Sequence, residues 1–130
     1  MVDKLTIPKY SYEDALVIQS MQWSMDVSRI AIVGPSGCGK TTLLHLLAGL
    51  LSDVPSPLIP TCSISMMFQE PRLMPWLTVA QNLRLVKPNL TEVDITNILD
   101  SIGLRKSQHH YPKQLSGGMQ RRVALARAFC

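Results

Sequence analysis

GPSGCGKTT, residues 34–42, fits the pattern Gly-x-x-x-x-Gly-Lys-Thr, with Gly34, Gly39, Lys40 and Thr41 at its fixed positions. The spacing has a mechanism. Glycines let the backbone curl until successive N–H groups point inward at phosphate oxygens. A helix that follows turns its positive N-terminal end on the same anion. Lys40 can then reach the β- and γ-phosphates, and the Thr41 hydroxyl can hold Mg2+. The expected cradle is Gly34, Pro35, Ser36, Gly37, Cys38, Gly39, Lys40, Thr41 and Thr42. Cys38 sits at a variable position and reads as filler with a thiol. This loop implies a bound nucleoside triphosphate. It does not choose among kinases, GTPases, motors and transporters.

The flanks suit such a loop. RIAIV, 29–33, is a β-rich run ending at Gly34, and TTLLHLLAGLL, 41–51, is apolar on nearly every face, as a buried helix is. Further upstream, SMQWSMD, 20–26, alternates polar and apolar like a half-buried strand. Downstream, the three prolines of 52–60 predict a loop, and TCSISMMF, 61–68, another buried strand. Residues 76–86 and 91–102 read as helices. In the second, Thr91 and Asp94 form a capping pair, Ile95, Ile98, Leu99 and Ile102 share a face, and Gly103 ends it. A final helix follows Gly117 and Gly118. The order β, β, loop, α, β, α, α, loop, α predicts an α/β core with a helical insertion.

Composition narrows the class. The 130 residues suit one globular domain, with 46% apolar content. LLHLLAGLL, 43–51, is about half the roughly 18 to 20 residues of a membrane span. The first ten residues lack the apolar core of a signal peptide. Cys38, Cys62 and Cys130 have no metal spacing and read as reduced thiols. Together these predict a cytosolic chain. The formal net charge of +4 is too small and too spread to indicate nucleic acid. Its distribution is uneven. No acidic residue follows Asp100, whereas Arg105, Lys106, Lys113, Arg121, Arg122 and Arg127 do. That basic end suits phosphates, a partner, lipid head groups or simply a solvated face.

Two more stretches add to the loop. MMFQEPRLMPWLTVAQNL, 66–83, places Gln69 just after an expected strand, where a glutamine can contact the metal, orient a water and swing when the nucleotide changes. YPKQLSGGMQRRVALARA, 111–128, sets Ser116, Gly117 and Gly118 before a basic helix. Together with the phosphate loop these residues resemble the ATP-binding subunits of ABC transporters. QEPRLMPWLTV is similar to the importer branch that handles sulfonates, taurine, nitrate and thiamine precursors. The resemblance implies a P-loop core at 1–70 and 111–130, with a helical subdomain at 71–110. It implies ATP and Mg2+ as cofactors, Thr41 and Gln69 beside the metal, and Gln69 in a catalytic role. Two such domains would pair head to tail, with Ser116 and the N–H groups of Gly117 and Gly118 on the γ-phosphate held by the partner. Gln69 and the residues after it would touch a membrane permease, with a solute-binding protein engaged indirectly and the subunit lying on the inner face of the membrane. Tyr12, 28 positions before Lys40, is the expected adenine-stacking residue, and Tyr10 is its competitor.

The departures from that pattern are informative too. Only 29 positions separate Lys40 from Gln69, so the antiparallel strands usual there are expected to be shortened or lost. Arg121 and Arg122 stand where the family often has Gln-Arg, a change expected to alter surface contacts only. The family's Mg2+-supporting aspartate, water-activating glutamate and switch histidine follow the last helix and have no counterpart in these residues. His109 and His110 precede Ser116 and read as exposed loop residues. The expectation is therefore an importer ATPase subunit, truncated after the Ser-Gly-Gly motif, that binds ATP but turns over little alone. The alternative is a non-hydrolysing fragment without transport activity. A small-molecule kinase is disfavoured, because kinases carry no Ser-Gly-Gly of this type.

Overall fold

Two antiparallel ribbons precede the phosphate loop in the computed structural model, which describes residues 4–24, 26, 28–51, 53, 58–59 and 63–130. β1 (Lys4–Ile7) pairs with β4 (Met21–Ser24), Lys4 opposite Ser24 and Ile7 opposite Met21. Between them β2 (Tyr10–Tyr12) and β3 (Ala15–Ile18) form a hairpin with a bulge at Tyr10–Ser11. Glu13 takes a left-handed φ of 49° in its tight turn. The expected alternation holds in β4, where Met21 and Trp23 are half-buried and Gln22 and Ser24 exposed. The pairings of β1, β2 and β3 were not foreseen.

The chain divides into two units, Met1–Ile64 and Ser65–Cys130. In the first, Ile7, Tyr10 and Ile18 from the ribbons pack with Leu43 and Leu46 of α1 (Lys40–Leu47) and with Leu51. The expected all-round burial of α1 is not met. Leu43 and Leu46 are buried, while Leu44 is exposed, because the core lies on one side of the helix. Neither 29–33 nor the described part of 61–68 is a strand. Ile30 is 51% and Val33 88% exposed. A strand exists through ladder bonds to a neighbour, and no described segment pairs with either run. The prolines of 52–60 lie outside the described residues, as does Cys62. Cys38 and Cys130 are free thiols.

The second unit is helical: α2 (Val79–Arg84), α3 (Glu92–Ser101) and α4 (Gly117–Phe129), with single 3-10 turns at Arg105–Ser107 and Pro112–Gln114. Val79, Leu83, Ile95, Leu99, Leu104 and Val123 form its core. Ile98 and Ile102 pack against that core, so the face expected of α3 is the buried one. Gly103, at φ 69°, ends α3 as expected. Thr91 and Asp94 exchange both bonds of a capping box, and Thr78 and Gln81 do the same for α2. Among the described residues no helix is long and apolar enough to cross a membrane.

Two carboxylates tie this unit to pH. Hydrogen bonds from Arg84 and then Gln108 hold Glu92 below its usual value of 4.5. Hydrogen bonds from Thr91 lower Asp94 likewise. A depressed folded-state pKa contributes stability above the unfolded value and loses it as pH falls through the folded one. Stability to urea is thus expected to fall on acidification below about pH 4.5. Glu92→Gln should flatten that acid limb while leaving the plateau near pH 7 lower, because the Arg84 pair is gone.

Candidate nucleotide site

The loop 34–42 is built by its glycines. Gly37 takes φ 79° and Gly39 φ 96°, both left-handed, and Gly39 caps α1 without a side-chain bond. A Cβ on Gly39 would lie 2.9 Å from Val17 Cγ1 and 3.3 Å from the Val17 carbonyl, so β3 presses directly on the loop. A Cβ on Gly37 would meet nothing within 4 Å. The two glycines therefore differ in kind. Gly39→Ala should destabilise the first unit by about 2 kcal/mol or more, from strain plus collision. Gly37→Ala carries the strain alone, about 1 kcal/mol. Urea unfolding followed at Trp23 checks the order.

Lys40 folds back over the loop. Its ammonium donates to the Gly34 carbonyl at 2.8 Å and the Pro35 carbonyl at 2.5 Å, with Cys38 Sγ at 3.6 Å. Exchange of one carbonyl for a phosphate oxygen keeps the ammonium's charge in the loop. The first N–H groups of α1 have no acceptor within the helix, and its first turn carries no acidic side chain to compete for them. A cavity of about 340 Å3 adjoins the loop, lined by Val17, Met21, Ile32, Val33, Lys40 and Leu43 among others. One basic donor, Lys40, beside a largely apolar hollow matches the chemistry of a nucleotide's phosphates and its less polar remainder. Of the two tyrosines, Tyr10 is 7% exposed in the core and Tyr12 48% exposed, their rings edge to face at 5.1 Å. Tyr12 is the more exposed of the two.

The other expected residues lie in the second unit. Ser116 caps α4, its hydroxyl accepting from the Met119 N–H at 3.3 Å. A Cβ on Gly117 or Gly118 would meet nothing within 4 Å, and neither glycine has a positive φ. Gln120 donates to the carbonyls of Pro112 at 2.9 Å and Leu115 at 3.3 Å, which fixes the approach to Ser116. Gln69 and Glu70 are exposed in a bend. The chain after them is pinned. Arg127 donates to the carbonyls of Pro71 and Arg72, Asn82 holds Met74, Leu77 and Thr78, and Leu73 packs on the core.

Three residues outside the expected set thus hold the Gln69 and Ser116 stretches within the second unit: Asn82, Gln120 and Arg127. Only Asn82 left a local signal, as a poor helix former inside a helical stretch. Arg121, the position that departs from Gln-Arg, is exposed, in keeping with a surface role, and Arg122, also exposed, donates to the Ile102 carbonyl at 2.9 Å and so links the end of α3 to α4. His109 and His110 are exposed, as expected, while the His110 carbonyl accepts the Val79 N–H at 2.9 Å and helps satisfy the start of α2.

Comparison with known proteins gives one consistent result. The family model described as ABC transporter matches residues 21–130. The aliphatic sulfonates import ATP-binding protein SsuB 2 of Pseudomonas syringae pv. tomato is 36% identical over 126 residues, covering 95% of this chain and 54% of the relative. SsuB of Bacillus subtilis is 41% identical over 111 residues, covering 76% and 43%. SsuB 1 of Pseudomonas aeruginosa is 38% identical, covering 98% and 57%. That last match runs over 143 positions, more than this chain's own length, so the relative carries residues that this chain lacks. The chain spans about half the length of the curated relatives it matches. Among solved structures, an ATP-binding subunit of an ABC transporter superposes with a TM-score of 0.78 at 20% identity, covering 99% of this chain and 62% of that one. The cbiO1 protein of Clostridium perfringens, part of the ABC transporter complex cbiONQ, gives 0.72 at 24%, covering 97% and 60%. These likenesses show the fold, a P-loop ATPase core of mixed α/β type.

Proposed function

The chain belongs to the ABC transporter family, and from that premise we propose that it is the ATP-binding part of an importer, with sulfonates or chemically similar anions as the solute class. The P-loop core takes in 1–70 and 111–130, and 71–110 is a helical subdomain. Gly34–Thr42 hold the phosphates, Tyr12 stacks on adenine, and Thr41 and Gln69 attend the metal. Bound Mg2+ would neutralise charge on the phosphates. Lys40 supplies a second positive charge there, and Gln69 orients a water. Ser116, Gly117 and Gly118 meet the phosphates held by a second copy. A permease covers the Gln69 segment on the inner face of the membrane, and a solute-binding protein acts through that permease. Across residues 101–130 there is no carboxylate to activate water. We therefore propose that these 130 residues alone bind MgATP and hydrolyse little of it.

One observation carries the pairing. Glycine costs a helix up to about 1 kcal/mol relative to alanine, and α4 opens with two. Neither backbone angle nor space within the chain calls for them. A group approaching from outside, a phosphate with its own protein behind it, accounts for both. Gly118→Leu separates the two possibilities. Its side chain meets open space at home, so the fold is kept and thermal stability is equal or slightly higher. Sedimentation should then show MgATP-driven dimers of the wild-type chain and none of the variant. Equal dimer formation by both would contradict the pairing.

A further inference from the structure

We propose that Arg127 is a positioning residue that couples the Gln69 loop to the helix carrying Ser116–Gly118, so that the two stretches respond to nucleotide together. The inference rests on the nucleotide-binding reading above and adds to it a specific link. The guanidinium of Arg127 spans two consecutive carbonyls, Arg72 at 3.0 Å and Pro71 at 3.1 Å, from 55 and 56 positions away in sequence. A planar fork with two separate donors suits such a pair of acceptors, and a lysine cannot serve both in the same way. At the second carbonyl the backbone is unusual, since Arg72 holds φ 47° although it is not glycine. Its own guanidinium lies 3.9 Å over the Phe68 ring. Residues 68 and 72 thus clasp the short bend that carries Gln69 and Glu70. Arg127 in turn grips the far end of that clasp.

The other end of the link is α4. Ser116 caps the helix and Arg127 lies eleven positions further on, about 16 Å along the axis at the α-helical rise. That helix is itself fixed, by Gln120 to the carbonyls of Pro112 and Leu115 and by Arg122 to the end of α3. A bend anchored at one end of a braced helix cannot shift freely. Movement of Gln69 must either break two charge-assisted bonds or displace α4, and displacing α4 moves the Ser116 end. A purely structural arginine would hold the unit together without passing on any such displacement.

Hydrogen exchange read by mass spectrometry tests this on the 130-residue chain, with and without MgATP, in wild type, Arg127→Gln and Arg127→Lys, at a dilution where sedimentation shows monomer throughout, so that no second copy's phosphate reaches 115–120. In wild type MgATP should slow exchange at 68–74 and also at 115–120, the latter by about fivefold to tenfold, a typical size for linked sites. In Arg127→Gln the slowing at 68–74 should persist, while 115–120 changes by less than about twofold. Exchange across Glu92–Ser101 should match wild type, which shows the unit folded. Arg127→Lys keeps the charge and reaches one carbonyl at a time, so it should fall between, and it carries the test if Arg127→Gln does not fold. Equal slowing at 115–120 in wild type and variants overturns the coupling and leaves nucleotide binding intact. No slowing anywhere in wild type overturns the nucleotide reading, and the coupling with it.

Discussion

Lys40→Ala should weaken MgATP binding about 100-fold, roughly 2.7 kcal/mol, while leaving the stability of the chain nearly unchanged. The size follows from what the side chain does. A charge-assisted bond contributes about 1.5 to 3 kcal/mol, and the ammonium is the cradle's only charged donor, since no other Lys or Arg falls within 34–42. The small stability effect follows from its present partners. The Gly34 and Pro35 carbonyls that Lys40 bonds are exposed, and water replaces the ammonium there at little cost. Lys40→Arg is the informative companion. It keeps the charge, but its rigid fork cannot fold over the loop as the lysine does, so affinity should remain well below wild type. Fluorescence anisotropy of a labelled ATP, competed with MgATP, measures all three. An unchanged affinity in Lys40→Ala would remove the phosphate loop from the account.

The largest effect on folding is expected at Asn82, which is 0% exposed. Its carbonyl oxygen accepts the Met74 N–H at 2.8 Å. Its amide nitrogen donates toward the carbonyls of Met74, Leu77 and Thr78 at 3.0 to 3.2 Å. One side chain thus replaces the backbone partners that the turn over 74–78 lacks. α2 has six residues and could not stand alone. Asn82→Ala strands several polar groups in a buried place, at about 1 to 3 kcal/mol each before relaxation, so a net loss of about 3 kcal/mol is expected. Asn82→Asp should be at least as harmful, because it sets a carboxylate against three carbonyls. Urea unfolding read at Trp76, in a Trp23→Phe background, reports the second unit by itself. A loss below about 1 kcal/mol would mean the turn holds without this residue.

How much of this was legible in advance depended on distance along the chain. The glycines of the phosphate loop, the Thr91–Asp94 box and the Gly103 stop all act within four residues of themselves. Each was read from local chemistry. The α3 face was legible for the same reason, since Ile95 and Leu99 mark it at helical spacing. The run at 29–33 and the described part of 61–68 are not strands, because β-rich composition describes a residue's suitability for a strand, and only a neighbour makes one. The ribbon hairpin was missed because Glu13–Asp14 is not a turn pair that announces itself. Arg127 and Arg122 were beyond reach of any local rule, since their acceptors lie 55 and 20 positions away. Asn82 could have been suspected, as a polar residue among apolar ones at Val79, Ala80 and Leu83.

The phosphate loop was therefore more legible than the side chains that hold the Gln69 and Ser116 stretches. Phosphate-binding glycines carry their chemistry in their spacing. The struts that aim Gln69 and Ser116 carry theirs only in the folded chain.

Equilibrium dialysis of ATP against the 130-residue chain, with Mg2+ and with EDTA, tests the central claim most directly. The account predicts saturable binding of one ATP per chain that Mg2+ strengthens. Absence of saturable binding by a folded chain would contradict it.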